Sequence, residues 1–192
     1  MGIPEQLSGR RFFVTGGTGF LGTALIERIL RTIPDSEVVA LVRPTRRLDA
    51  AGRVAREILR NDCFNRLRDE HGDRFEVEVA ARIRGLAGDV STDGLGLDEA
   101  GQRTLAGCDV VIHSAATVSF DAPLDLAVEV NLLGPVRVAA AAARAREGGG
   151  GPTHLIAVST AYVGEGHQGE TAERLLSDAR LTVAVNWPQE VK

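Results

Sequence analysis

Arg11-Phe12-Phe13-Val14-Thr15-Gly16-Gly17-Thr18-Gly19-Phe20-Leu21-Gly22 is the stretch that decides how this chain folds. A short apolar run, residues 11–15, ends abruptly in glycines and reads as a buried strand. The helix expected over residues 20–32 follows at once, with Leu21, Leu25 and Ile29 on one face and Ile26 and Leu30 beside them. Strand, glycine turn and helix in that order have a chemical use. Gly16 permits the sharp turn, Gly19 lets a pyrophosphate approach the backbone, and Gly22 lets the helix pack close to the strand. The anion then meets free N–H groups at the positive end of the helix. The plain alternative is a tight turn that needs glycines for positive φ. The strand–turn–helix context favours the dinucleotide reading.

Outward from that loop, strands and helices alternate. Pro34 and Asp35 mark a turn, residues 38–42 form a second strand, and Pro44 closes it. Residues 49–70 read as one long exposed helix, 83–87 as a third strand, 98–105 as a short helix and 109–113 as a fourth strand. A helix opening near Pro123 is expected over 123–146. The glycine run Gly148–Gly151 then turns the chain into a last strand, 154–158. This alternation predicts an α/β fold, a parallel sheet covered on both faces in the doubly wound, Rossmann manner. Residues 1–192 read as one NAD(P)-binding domain whose sheet is incomplete at the C-terminus.

Bulk properties exclude several classes. The hydrophobic share of 44% and charged share of 25% are ordinary for a globular core. A net charge of −4 gives no reason to expect a nucleic-acid partner. Cys63 and Cys108 match no metal-ligand spacing, so no metal site is expected, and both read as buried free thiols suited to a reducing cytoplasm. No apolar run approaches the length needed to cross a bilayer.

An NAD site usually carries Asp or Glu about 20 residues beyond the glycines, to bond the ribose hydroxyl. This chain has Arg43 at the end of the second strand, with Arg46 and Arg47 behind it. A guanidinium attracts a 2′-phosphate that a carboxylate would repel, so NADPH is the expected cofactor. A solvated turn is the alternative for these arginines, and it suits Arg46 and Arg47 better than Arg43.

The Thr15-Gly16-x-x-Gly19-x-x-Gly22 loop with Phe20-Leu21 resembles that of the extended short-chain dehydrogenase/reductases. Three more segments narrow the resemblance: Asp109 to Phe120 (Asp-Val-Val-Ile-His-Ser-Ala-Ala-Thr-Val-Ser-Phe), Asn131-Leu132-Leu133-Gly134, and Val158-Ser159-Thr160-Ala161-Tyr162-Val163. Together they resemble the fatty acyl-CoA reductases of the male sterility type and the related thioester reductase domains. The resemblance implies that Thr15, Gly16, Thr18, Gly19, Phe20, Leu21, Gly22 and Arg43 bind the cofactor. It puts Asp89, with Val90, beside the adenine, and His113, Ser114, Ala115 and Ala116 under the ribose and pyrophosphate. Asn131 would organise the active site, and Thr160, with Ser159, would bond the substrate carbonyl. Each has a plainer alternative: Asp89 as a cap, His113 as a satisfied strand-end histidine, Asn131 capping a bend, and Ser159 and Thr160 as a strand end.

The family's acid is a tyrosine four residues before a lysine. This chain has one tyrosine, Tyr162, and one lysine, Lys192, without that spacing. The catalytic pair is therefore expected beyond residue 192, and the chain alone is expected to bind cofactor without turning over substrate. The reading that results is an NADPH-dependent reductase acting on an acyl-CoA or other acyl thioester, with self-association expected through an exposed sheet edge. An NAD-dependent epimerase or dehydratase of nucleotide sugars, or a non-catalytic NADPH-binding protein, are the alternatives.

Overall fold

The computed structural model describes residues 2–119 and 121–159. The chain divides into two compact units, Met1–Val158 and Ser159–Lys192, and the description below concerns the first. Thr160, Tyr162 and Lys192 lie outside the described residues, as does Phe120.

After a short turn, α1 (Ile3–Gln6), the chain enters β1 (Arg11–Thr15), α2 (Phe20–Thr32) and β2 (Glu37–Val42). A run of short helices follows: α3 (Ala50–Arg53), a wide turn over Val54–Ile58, a tight turn over Asp62–Phe64, α4 (Asn65–His71) and α5 (Phe75–Glu78). Then come β3 (Ile83–Ala87), α6 (Glu99–Ala106) and β4 (Val110–His113). A continuous helical rod ends the unit, made of α7 (Leu124–Ala127), a wide segment Val128–Leu133 and α8 (Gly134–Glu147), before β5 (His154–Ala157). All four strand pairings are parallel, in the order β3-β2-β1-β4-β5. This is the α/β Rossmann arrangement the alternation of elements implies.

Alternation within the strands explains why both sheet faces are covered. Phe12 and Val14 of β1, with Val38, Ala40 and Val42 of β2 and Val110 and Ile112 of β4, face one core together with Ile26, Ile29 and Leu30 of α2. Phe13, Val39, Leu41 and Val111 face the other, with Leu105 of α6 and Val138 and Ala142 of α8. Strands buried on both sides must read as near-continuous apolar runs, which β1 and β2 do. Each fully buried Ile or Phe contributes about 1.5–3 kcal/mol relative to exposure.

Several expectations need correction. Residues 49–70 are not one exposed helix. The segment is broken at Asn61, whose side chain accepts from the Cys63 N–H, and Val54, Ile58, Phe64 and Leu67 are buried in the α2-side core. The abundance of Arg and Glu hid that apolar stripe. On α2 the buried face is carried by Gly22, Ile26, Ile29 and Leu30, while Leu21 is exposed. Asp109 precedes β4 and is spent elsewhere, its carboxylate accepting from the Arg11 N–H at 2.8 Å and from Arg10 at 2.7 Å. Pro123 caps the rod from outside rather than sitting in its first turn. Cys108 is buried, and burial pushes its thiol up to about 12; Cys63 is only half-buried. Finally, the rod Leu124–Glu147 has 24 residues and a mean hydropathy of 1.4 in its most apolar stretch, enough to span a bilayer by length and composition. Asp125, Glu129 and Arg137 interrupt it in sequence, which is why no unbroken apolar run is seen. Its buried stripe, Val130, Val138 and Ala142, packs on Phe13 and Val111 of the sheet.

Candidate functional site

β1 ends in the fully buried Thr15, and the chain turns at Gly16 with φ of 73°, a left-handed conformation that glycine adopts freely. The Gly19 N–H closes the turn on the Gly16 carbonyl at 2.9 Å, and the Thr23 hydroxyl donates to the Gly17 carbonyl at 2.9 Å. A Cβ on Gly22 would stand 2.1 Å from the Gly16 oxygen, so only glycine lets α2 lie this close. No side chain caps α2, and its first amides have no partner within the helix.

The loop is knotted to the exit of β4. Thr15 sits opposite His113 in the β1–β4 register. The Thr15 hydroxyl lies 2.7 Å from His113 Nδ1, in hydrogen-bond contact, and accepts from the Ala115 N–H at 3.4 Å. Burial lowers the His113 pKa, favouring the neutral ring. The Ser114 hydroxyl donates to the Thr15 carbonyl at 2.8 Å.

Between these walls lies a cleft of about 230 Å³. The glycine loop contributes Thr15, Gly16, Thr18 and Gly19; the end of β2 contributes Leu41, Val42 and Arg43. The segment after β3 adds Gly88, Asp89 and Val90, the segment after β4 adds Ser114, Ala115 and Ala116, and Arg53 and Val130 complete it. The cleft sits at the C-terminal ends of the strands, where the order reverses between β1 and β4, the usual ligand position in open parallel sheets.

Most of the residues singled out in the sequence meet here. Phe20, Leu21, Gly22 and His113 do not line the cleft: Phe20 is 96% exposed, Leu21 is exposed, Gly22 acts through packing and His113 through the Thr15 knot. Asn131 binds no cleft atom. Its side-chain oxygen accepts from the Thr117 N–H and its amide donates to the Thr117 carbonyl, both at 2.8 Å, so it clamps the segment after β4 to the rod. Ser159 is exposed just past β5, and Thr160 lies outside the described residues. Arg46 and Arg47 are exposed and away from the cleft.

Arg53 was not visible as a site residue in the sequence. Its guanidinium donates to Glu57 through two nitrogens at 2.8 and 2.5 Å, and to the Arg43 carbonyl at 2.8 Å. That pairing holds the Glu57 carboxyl below its usual range and raises Arg53 further. The signal was an Arg–Glu pair at i, i+4 in the segment that returns over β2. Arg43 has a looser partner, Asp89, whose Oδ2 lies 3.8 Å from its Nη1. The other Asp89 oxygen accepts from the N–H and hydroxyl of Ser91 at 2.9 and 2.7 Å.

The donor set suits an anionic dinucleotide. Gly19 is exposed at the cleft with an ordinary φ of −86°, and a Cβ there would meet only the Gly16 oxygen, at 3.3 Å. Little in the protein's own packing requires glycine at this position, whereas a phosphate approaching the helix amides would.

Fold and cleft together define a Rossmann-type α/β domain with its cleft at the strand-order reversal. The NAD-binding family model described as male sterility protein matches residues 14–190, and the chain belongs to that family. It is 31% identical to fatty acyl-CoA reductase 2, chloroplastic, of Arabidopsis thaliana, over 92% of this chain and 28% of that protein. It is 34% identical to fatty acyl-CoA reductase 1 of Xenopus laevis, over 69% of this chain and 25% of that one. Among solved structures, the terminal R domain of the myxalamid biosynthetic pathway superposes with a TM-score of 0.61 at 27% identity, covering 80% of this chain and 35% of that one. The reductase domain of a non-ribosomal peptide synthetase from Mycobacterium tuberculosis gives 0.55 at 29% identity, covering 80% and 34%. The chain thus spans about a third or less of the proteins it matches.

Proposed function

We propose that this chain is the cofactor-binding part of an NADPH-dependent reductase of acyl thioesters, with fatty acyl-CoA as the substrate class. The observation that carries this reading is the glycine-loop cleft with the Arg43 guanidinium at its rim, in a chain similar to proteins named fatty acyl-CoA reductases. Residues 1–192 are read as one NAD(P)-binding domain.

In this reading the α2 amides, Gly19 and Thr18 would hold the pyrophosphate. Arg43 would hold the 2′-phosphate, Asp89 and Val90 would flank the adenine, and Ser114, Ala115 and Ala116 would support the ribose. A reduced nicotinamide supplies a hydride when bound. This chain's own residues supply part of the remaining chemistry. Thr160, with Ser159 beside it, donates to the thioester oxygen as negative charge builds there. Asn131 keeps the segment after β4 in place. Hydride to the carbonyl carbon, cleavage of the C–S bond and uptake of a solvent proton by the departing thiolate would together give an aldehyde and a free thiol.

The test is cofactor titration of the full chain. NADPH is expected to bind more tightly than NADH, and Arg43→Ala is expected to reduce that preference by about 1.5–3 kcal/mol, the worth of a hydrogen bond to a charged group. Equal affinity of the unaltered chain for both cofactors would remove the NADPH assignment.

A further inference from the structure

Two arginines line the cleft, and they are not equivalent. Arg53 is committed: Glu57 neutralises it across two hydrogen bonds, and its remaining arm holds the Arg43 carbonyl. Arg43 is 65% exposed, and among the described residues its guanidinium makes no hydrogen bond. Its one ionic partner there is Asp89, at a distance longer than a hydrogen bond, 3.8 Å. Asp89 itself is well fixed. Ser91 holds one oxygen twice, which leaves the other directed at Arg43. The net charge offered to an incoming phosphate at this end of the cleft is therefore smaller than a count of arginines suggests.

Resting on the dinucleotide reading above, we propose that Asp89 is a counter-charge that restrains selection of the 2′-phosphorylated cofactor by competing with that phosphate for Arg43. Selectivity then belongs to the Arg43–Asp89 pair and not to Arg43 alone. A 2′-phosphate carries close to two negative charges. It must draw Arg43 away from Asp89 before it can pair with it. A cofactor with a bare ribose hydroxyl meets no such competition. The pair thereby narrows the gap in affinity between the phosphorylated and the non-phosphorylated cofactor.

Asp89→Asn separates the charge from the shape. The amide oxygen still accepts from Ser91, so the turn after β3 keeps its bonds. Any contact with the adenine is shared by both cofactors and cancels in the ratio of their affinities. The experiment measures dissociation constants of NADPH, NADH, 2′,5′-ADP and 5′-AMP for the full chain, Asp89→Asn, Arg43→Ala and the double variant. Asp89→Asn is expected to raise the NADPH-over-NADH preference about two- to fivefold, the scale of one exposed ion pair released from competition. The 2′,5′-ADP-over-AMP ratio should rise alike. The gain should shrink with added salt and be largely lost in the Arg43→Ala background, where there is nothing left to compete for. If Asp89→Asn changes both cofactors equally, or raises the preference as much without Arg43, the proposal is overturned while the dinucleotide site stands. If none of the four nucleotides binds the unaltered chain, the site reading itself falls, and this inference with it.

Discussion

At the scale of single residues, three glycines of one loop do three different jobs. Gly16 is required by its left-handed turn and Gly22 by its approach to the Gly16 carbonyl, whereas Gly19 has an ordinary φ and a Cβ there would be tight on that carbonyl, at 3.3 Å, without colliding with it. Gly19→Val is therefore expected to keep the fold, at a cost of about 1 kcal/mol for the lost α2 N-cap, and to abolish NADPH binding; a variant that binds normally would reduce the loop to a turn. The pattern of glycines was legible in sequence, whereas their division of labour depends on backbone contacts that no spacing reports. His113 shows the same limit. Its position beside the loop could be read, but not that its ring is buried and bonded to Thr15. Because burial lowers its pKa from 6.5, the unfolded chain binds the proton more readily than the folded one. The stability tied to this residue is whole above pH of about 6.5 and is lost as pH falls from there toward the lowered folded value. Urea unfolding at pH 7.5, 6.5 and 5.5 should show this slope in the unaltered protein and a flatter one in His113→Asn; parallel slopes would mean that the ring titrates freely.

At the scale of elements, the strands were the most legible features. β1, β2 and β4 are apolar on both faces and bounded by glycine, proline or polar residues, so length and composition sufficed. The helical stretches were harder. The segment from Ala50 to Glu78 is a series of short pieces, because tertiary packing of Ile58, Phe64 and Leu67 overrides the helix propensity of its many Arg, Glu and Ala residues. The wide segment Val128–Leu133 could not have been foreseen either, yet it is what carries Asn131 to Thr117. Asn131→Asp replaces the donor facing the Thr117 carbonyl with a second acceptor. It should cost about 0.5–1.5 kcal/mol, exceed the cost of Asn131→Ala, and weaken NADPH through the adjoining Ser114–Ala116 wall. Chemical denaturation of both variants checks this, and an aspartate milder than the alanine would show that the clamp carries no weight.

At the scale of the whole molecule, the doubly wound order and the crevice at the β1–β4 reversal follow from right-handed connections between parallel strands, so architecture was readable once the alternation was seen. What could not be read is how the chain returns over β2 to bring Arg53 beside Arg43, since nothing local encodes that contact. Among the described residues β5 lies at one end of the strand order, with Leu155 and Ile156 43% and 52% exposed. Such a strand is a template for pairing with another copy. Sedimentation velocity is expected to show association that grows with protein concentration and is suppressed by Ile156→Lys; a single monomeric species at every concentration would refute it. The register of the sheet also bears on how the protein comes into being. β1 meets β2 across 26 residues of chain, from Arg11 to Glu37, but Thr15 reaches His113 only across 98. Closing the longer loop costs about 1 kcal/mol more entropy, and it does so before the contact returns anything. Loop closure alone therefore favours assembly of the β1–β2–β3 side before β4 is added to it. On that order the crevice is a late part of the molecule each time it folds: its two halves meet only once the first side stands, along the seam where the Thr15–His113 knot is tied.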